Sequence, residues 1–191
     1  MVHDVSVIDF GDLLARVATR AAAGSPELPP IVSPEDIAEA ESALGFPLHP
    51  LLAQLYRRIG NGGFGPEYGI LGLSKTGRTS DVGLTAVEEY RQRRVSDATD
   101  TRWFWPEGVL PILTWGCSMY ACVDCRSEAG TVLLFEPNPI DDGQWAEAWF
   151  VDSPSLAEWL DTWISGQGWY EEENIDEEVD MPRWEDAASR A

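Results

Sequence analysis

Apolar residues recur at helical spacing in three stretches of the first sixty residues. Residues 9–22 carry an apolar face at positions i, i+3, i+4 and i+7. A second stretch begins at Ser33, which is followed by proline and two acids, and it ends at Gly45. A third covers residues 48–59 and ends at Gly60. We predict three helices, of which the last two form a hairpin and the first is a candidate appendage.

Turns and short extended runs dominate the pattern that follows. Residues 61–66 are too rich in glycine for a regular element, and because no lysine-serine pair opens a helix there, we interpret them as a tight connection rather than a phosphate loop. Next come an apolar strand and a helix that opens with a capping box, at residues 68–73 and 85–95. Four extended runs lie at hairpin-like distances: residues 109–115, 118–124, 131–135 and 144–151.

The end of the pattern decides the fold class. Pro111 indicates that the first of the four runs lies at a sheet edge or begins late. Ser153 and the following proline open a closing helix, which Gly166 ends. Helices, then a meander of strands, then a helix favour an α+β fold with an antiparallel sheet over a doubly wound parallel sheet.

Net charge excludes two classes of partner. The 191 residues carry a formal charge of −20, which argues against binding to nucleic acid or to anionic lipid. Residues 1–135 hold 17 acids and 11 bases, whereas residues 136–191 hold 16 acids and 2 bases. The densest part is residues 171–180, with seven acids. It is either a solvated tail or a negative surface that steers a basic partner.

Targeting signals are missing from the pattern. No apolar run approaches the ~20 residues that span a bilayer. The first residues carry acids where a signal peptide carries bases, and three cysteines do not resemble a secreted disulfide framework. We therefore expect a cytoplasmic protein.

The three cysteines are the strongest candidates for metal ligands, but their match to a metal-binding pattern is weak. Cys117, Cys122 and Cys125 match the first part of an iron–sulfur pattern, but a fourth cysteine is absent. On a strand their side chains would point to opposite faces, so we expect buried, inert thiols and no metal or cofactor. Nucleophilic catalysis needs a nearby base, and we expect His49 to be a surface or capping residue. No residue pattern indicates an enzyme.

Nine tryptophans divide into two groups. Five lie on predicted elements: Trp159 and Trp163 on one helix face, Trp145 and Trp149 on one strand face, and Trp115 at a strand end. The other four lie in loops or in the tail: Trp103, Trp105, Trp169 and Trp184. Exposed aromatic residues beside acids suit a binding surface, but docking of Trp169 and Trp184 onto the protein's own body is an equal alternative.

The segment from residue 31 to residue 66 resembles the opening of the SUKH superfamily, in the branch named for the yeast cell-wall regulator Smi/Knr. The matching residues are Glu41, Leu44-Gly45, Pro47-Leu48, Leu52, Leu55-Tyr56 and Gly60-Asn61-Gly62-Gly63. The later runs at residues 113–116, 120–124 and 130–136 also fit. His49 stands one place before the usual proline position, here Pro50.

The resemblance implies an α+β domain with a curved, mostly antiparallel sheet flanked by helices, and no catalytic activity. Bacterial members are typically immunity proteins that block a cognate toxin, often a nuclease, and fungal members regulate cell-wall synthesis. We divide the chain accordingly into an N-terminal helix and linker (1–30), a SUKH-like domain (31–166) and an acidic C-terminal tail (167–191).

We therefore predict a non-enzymatic protein that binds a toxin with a basic surface. The alternative is a regulatory or scaffold protein that acts on an endogenous partner. An acidic protein is suited to the basic cleft of a nuclease, so we expect the contact at the aromatic and acidic end of the chain. The candidate residues are Trp169, Tyr170, Glu171, Glu172, Glu173, Asp176, Glu177, Glu178 and Asp180.

Overall fold

Five helices and four strands form the part of the chain that the computed structural model describes, which is residues 10–24, 27–95, 100, 102–171 and 181–190. The helices are α1 (Gly11–Gly24), α2 (Pro34–Leu44), α3 (Pro50–Arg58), α4 (Ala86–Arg93) and α5 (Leu156–Ser165). The strands are β1 (Val109–Gly116), β2 (Met119–Asp124), β3 (Val132–Phe135) and β4 (Trp149–Ser153). The predicted α+β class is confirmed.

The four strands form one antiparallel sheet in the order β1-β2-β3-β4. Each strand pairs with its sequence neighbours, which gives the predicted meander. Pro111 lies on β1, which is an edge strand of the sheet, as the sequence predicts. Edge strands tolerate proline because they pair with a neighbour on one side only. The register shifts between Pro111 and Leu113, so the strand is irregular beside the proline.

Local capping explains why α2 and α4 begin where the sequence predicts, whereas α5 begins later than predicted, at Leu156, because Ser155 and not Ser153 caps it. The Ser33 side chain accepts a hydrogen bond from the Asp36 N–H at 3.1 Å. Gly45, with φ +83°, donates its N–H to the Glu41 carbonyl at the end of α2. Thr85 and Glu88 form the reciprocal capping box that opens α4.

Two predicted strands are wrong in whole or in part. Residues 68–73 form no strand, because Leu71 reaches β1 through a single bond, from its N–H to the Ile112 carbonyl at 2.7 Å. Residues 145–148 form a 3-10 turn, and β4 begins only at Trp149. The Asp142 carboxylate accepts the Gln144 N–H at 3.0 Å and supports a turn before the strand.

Helix α1 belongs to the same hydrophobic core as the rest of the chain. Its apolar face, Leu13, Leu14, Val17 and Ala21, is buried and packs towards α3 and α5. An ion pair joins α1 to α5 on the surface, between Arg16 and Asp161. The interpretation of this helix as an appendage is therefore wrong. Among the described residues, no helix has the length and apolar character to cross a membrane.

The described end of the chain returns to the sheet. Arg183 forms an antiparallel bridge with Phe150, and the Trp184 N–H donates to the Trp149 carbonyl at 2.9 Å. Trp184 is 8% exposed, and its ring centroid lies 6.1 Å from that of Trp149. These contacts cover the outer edge of β4, which would otherwise present unpaired backbone groups.

Candidate partner-binding cleft

Three of the nine predicted contact residues lie within the structure, and they lie together. Trp169, Tyr170 and Glu171 follow α5 and the glycine that ends it. The other six lie outside the described residues: Glu172, Glu173, Asp176, Glu177, Glu178 and Asp180. The geometry of the candidate surface is therefore that of its first three residues and of what they contact.

Trp169 and Tyr170 pack on the end of the first strand. The ring centroid of Trp115 on β1 lies 4.9 Å from that of Trp169 and 5.0 Å from that of Tyr170, which it meets at a stacked angle of 26°. Trp169 is half-buried and Tyr170 is 8% exposed. The segment thus docks onto the protein's own body, which is the alternative that the sequence left open. Tyr170 is not a freely exposed aromatic anchor.

Asp152 fixes this segment from the opposite edge of the sheet. The two oxygens of its carboxylate accept the indole N–H groups of Trp159 at 3.0 Å and of Trp169 at 3.1 Å. Burial raises the pKa of Asp152 to about 6, although the two indole hydrogen bonds favour the charged form. Trp169 therefore links β1, through Trp115, with β4, through Asp152.

The glycine-rich connection after α3 forms the opposite wall of a cleft. The predicted tight connection is confirmed, with φ of +77° at Gly62 and +80° at Gly63. Asn61, which is 1% exposed, holds this connection in place, since its Oδ1 accepts the Leu73 N–H at 2.8 Å and its Nδ2 donates to Ser74 Oγ at 2.9 Å. Sequence reasoning missed this role, whose only signal is an asparagine before two glycines.

A cleft of about 300 Å³ lies between α1, this connection, α5 and the segment after α5. Its charged lining residues are Arg20, Glu67 and Glu171, and its aromatic lining residues include Trp163 and Tyr170. Arg20 lies over the Trp163 ring, with its Cζ 5.9 Å from the ring centroid. Two of the nine predicted contact residues, Tyr170 and Glu171, thus line the same cleft.

Glu67 occupies its place in the cleft at a conformational cost. Its φ is +42°, in the left-handed region, where a residue with a Cβ costs roughly 1 kcal/mol relative to glycine. Gly65 and Gly69, which also line the cleft, have positive φ as well, at +112° and +78°. A glutamate among these glycines places an exposed carboxylate on the rim.

Tyr170 has a buried hydroxyl group without a hydrogen-bond partner among the described residues. Burial raises the pKa of Tyr170, and the carboxylates of Asp152, Glu171 and Glu67 raise it further, whereas Arg20 lowers it. Three of these four charges belong to the cleft lining. Tyr170 lines this cleft, and its hydroxyl retains an unused hydrogen-bonding capacity, which is unusual for a buried polar group.

A second groove, between α2 and α4, has its one lining cation, Lys75, already paired. It has a volume of about 260 Å³, and Lys75 Nζ lies 2.6 Å from the Glu88 carboxylate and 2.6 Å from the Gly83 carbonyl. The hydrogen bond from Lys75 lowers the pKa of Glu88. Its central cation already has partners, so the cleft beside Tyr170 is the stronger candidate for a partner.

The remaining loop tryptophans are parts of the core rather than of a binding surface. Trp105 is 1% exposed, and its ring centroid lies 4.7 Å from that of Trp149. Trp103 is half-buried and donates its indole N–H to the Arg93 carbonyl at 2.9 Å. Trp145 lies in the 3-10 turn, so the prediction that it shares a strand face with Trp149 is wrong. Trp159 and Trp163 are buried, as predicted.

Cysteine and histidine burial differs in part from the predictions. Cys122 is buried, and burial raises the pKa of the half-buried Cys125 to about 12, but Cys117 is exposed at the β1–β2 turn. His49 is 4% exposed, so its placement at the surface is wrong. It occupies the N-cap position of α3, as the alternative prediction had it, although its side chain makes no cap bond. No group of three or more metal-ligating side chains forms within the described ranges.

Comparison with known proteins identifies one family. The model of the SMI1/KNR4 family (SUKH-1) matches residues 31–162, which covers α2 to α4, the whole sheet and the first part of α5. No curated protein matches the chain. Helix α1 and the residues after 162, which include Tyr170 and Glu171, lie outside the match. The cleft is therefore built partly from the family domain and partly from segments outside the matched residues.

Proposed function

This chain belongs to the SMI1/KNR4 family (SUKH-1), whose members are generally non-catalytic immunity or regulatory proteins, and we propose that it is an immunity protein. It binds a cognate toxin, of a nuclease type with a basic surface, and blocks the toxin's action. Family membership is the observation that carries this proposal.

The distribution of charge supports a basic partner. The chain carries −20 in total, and 14 of these excess charges lie in residues 136–191. A nuclease holds phosphates with lysine and arginine, so its binding cleft attracts an acidic protein over a distance of about a Debye length. Such attraction raises the association rate more than the final affinity.

The contact surface that we propose comprises the nine residues Trp169, Tyr170, Glu171, Glu172, Glu173, Asp176, Glu177, Glu178 and Asp180. Its first three residues line or adjoin a cleft with two carboxylates that have no ion-pair partner among the described residues, those of Glu67 and Glu171. Charged groups that the protein does not neutralise itself are available to a partner.

Co-expression tests the function directly. The protein is produced together with the toxin encoded by the neighbouring gene, and survival of the host is measured. We expect survival when both are present and killing when the toxin is alone. Continued killing at full expression of this protein would reject toxin neutralisation, and the interpretation as a regulator of an endogenous partner would take its place.

Association kinetics test the contribution of the acidic run. Replacing its seven acids with Asn or Gln is expected to lower the association rate constant about tenfold at low salt and to reduce its salt dependence. The acids replaced are Glu171, Glu172, Glu173, Asp176, Glu177, Glu178 and Asp180.

The matched control removes seven exposed acids from elsewhere in the chain, which changes the net charge equally. These are Glu35, Glu39, Asp81, Glu128, Asp141, Glu185 and Asp186. We expect the control to slow association by a small factor only, because these acids are scattered. Equal effects of the two sets would show that net charge alone steers the partner.

A further inference from the structure

We propose that the cleft beside Tyr170 receives the side chain of an arginine that the partner protein presents. This inference rests on the function proposed above, because it names the group by which the partner would be recognised. It concerns the cleft lined by Arg20, Glu67, Trp163, Tyr170 and Glu171.

The charges of the cleft favour a cation. Its lining holds two carboxylates, of Glu67 and Glu171, against one guanidinium, of Arg20. Arg20 lies over the Trp163 ring and makes no ion pair with either carboxylate. Within the described ranges neither Glu67 nor Glu171 forms an ion pair, so both remain open to an incoming cation.

The buried hydroxyl of Tyr170 is the second, independent observation. The side chain lines the cleft, is more than nine-tenths buried and has a hydroxyl without a hydrogen-bond partner among the described residues. A phenol oxygen accepts hydrogen bonds, and a guanidinium group carries five N–H donors in a planar fork. One arginine can therefore donate to this oxygen and to a carboxylate at the same time.

The size and the aromatic walls of the cleft suit a single side chain. A volume of about 300 Å³ is at the lower limit of ligand pockets, which fits a single side chain. Tyr68, which is 50% exposed, supplies aromatic surface against which a guanidinium plane stacks more favourably than an ammonium group. We therefore choose arginine over lysine.

An anionic occupant fits less well. The glycine-rich connection follows a helix instead of opening one, so no helix N-terminus faces the cleft from that side. The two carboxylates would repel a phosphate or an acidic peptide.

Short peptides test the cleft without any toxin. The full chain, labelled with ¹⁵N, is titrated with Ac-Gly-Arg-Gly-NH₂, and the amide signals are followed by NMR. The comparison peptides carry citrulline, which has the shape of arginine without its charge, or glutamate. We expect the arginine peptide to shift the signals of Gly65, Tyr68 and Glu171, and to bind at least about tenfold more tightly than the citrulline peptide.

Three variants and one control locate the binding. Glu67→Gln and Glu171→Gln are each expected to lower the affinity for the arginine peptide about threefold to fivefold, and Tyr170→Phe is expected to lower it about threefold. The control Glu35→Gln removes an exposed carboxylate from α2, outside the cleft, and leaves the affinity unchanged within about twofold. Dispersed amide spectra of all four variants establish that they are folded.

Several outcomes would overturn the inference. These are absence of any shift at about 10 mM arginine peptide, equal binding of the citrulline peptide, tighter binding of the glutamate peptide, or equal losses in Glu67→Gln and Glu35→Gln. The result is separable from that of co-expression. Protection from the toxin without peptide binding would remove the arginine assignment alone, whereas peptide binding without protection would remove the immunity function alone.

Discussion

Two segments on either side of the acidic run dock onto the sheet in different ways. Pro182 and Trp184 add backbone hydrogen bonds to β4, since the Val151 N–H donates to the Pro182 carbonyl at 2.8 Å and the Trp184 N–H to the Trp149 carbonyl at 2.9 Å. Trp169 and Tyr170 instead dock through side chains, on Trp115 and Asp152.

The two segments also differ in how completely their polar groups are paired. Near the chain end, Arg190 forms an ion pair with Asp124, and its carbonyl accepts the Glu107 N–H at 2.9 Å. Around Tyr170, a hydroxyl has no partner among the described residues and a carboxylate has a raised pKa. Backbone pairing with β4 indicates a segment that closes the sheet, whereas the unpaired hydroxyl of Tyr170 indicates a segment that retains capacity for a partner.

Replacing Trp184 with alanine should give the largest loss of stability. The side chain is 8% exposed and lies against Trp149, so its removal leaves a cavity and uncovers the edge of β4. We expect the free energy of unfolding to fall by about 3 kcal/mol, measured by urea denaturation. Trp169→Ala, at a half-buried position, is the matched comparison and should cost about half as much. Equal losses in the two variants would mean that the two segments contribute equally to the stability of the fold.

The ionisation of Asp152 should give the next largest effect. Its pKa is raised by burial to about 6 in the folded state, against about 3.9 in an unfolded chain. Between these values the folded state binds more protons, so the stabilising contribution is present at pH 4 and is lost as the pH rises through 6. The shift of about two pH units corresponds to about 3 kcal/mol at most.

Asp152→Asn isolates this effect from that of the other acids. We expect the free energy of unfolding of the native chain, relative to that of Asp152→Asn, to fall by about 2 kcal/mol between pH 4 and pH 7. Asp141→Asn, which removes an exposed carboxylate, should show no comparable difference. Parallel pH profiles of the native chain and Asp152→Asn would contradict the raised pKa.

The regions whose boundaries are set by local interactions were the more predictable ones. The ends of α2 and α4 follow from Ser33, Gly45 and Thr85, whose side-chain or backbone preferences act within four residues. The strands β1 to β3 follow in the same way from short extended runs that are separated by turn residues. Local rules sufficed there because the deciding interactions are local.

The cleft was only partly predictable, because it joins segments far apart in the chain. Tyr170 and Glu171 were identified from the acidic and aromatic composition, but Arg20 and Glu67 were not, since neither carries a local signal. Burial of Trp184 depends on pairing with β4, about 35 residues earlier. Such contacts depend on the topology of the whole sheet, which periodicity does not specify.

Gly168→Ala should give a smaller loss of stability, which arises from the packing of the segment beside the cleft. A Cβ at this position would lie 2.2 Å from Cζ of Tyr170, so the ring must move. We expect a loss of about 1–2 kcal/mol in the free energy of unfolding and a shift in tryptophan fluorescence as Trp115 loses its stacked partner. Gly166→Ala is a poor control because φ there is +67°, whereas Gly24→Ala meets open space and should not destabilise the protein. A similar loss in Gly24→Ala would contradict the packing argument.

The smallest effect on stability, and the most informative one, is expected for Tyr170→Phe. A buried hydroxyl that is hydrogen-bonded contributes about 1 kcal/mol to the free energy of unfolding. This hydroxyl has no partner among the described residues. Its removal should therefore leave the free energy of unfolding unchanged or raise it by less than about 1 kcal/mol. The stacked contact with Trp115 is retained by the phenyl ring. A clear loss of stability in urea denaturation would show that the hydroxyl is already paired inside the protein. Unchanged stability combined with weaker binding of the arginine peptide would distinguish the two segments in function. The segment beside the cleft would then carry a polar group that binds a partner and does not stabilise the fold.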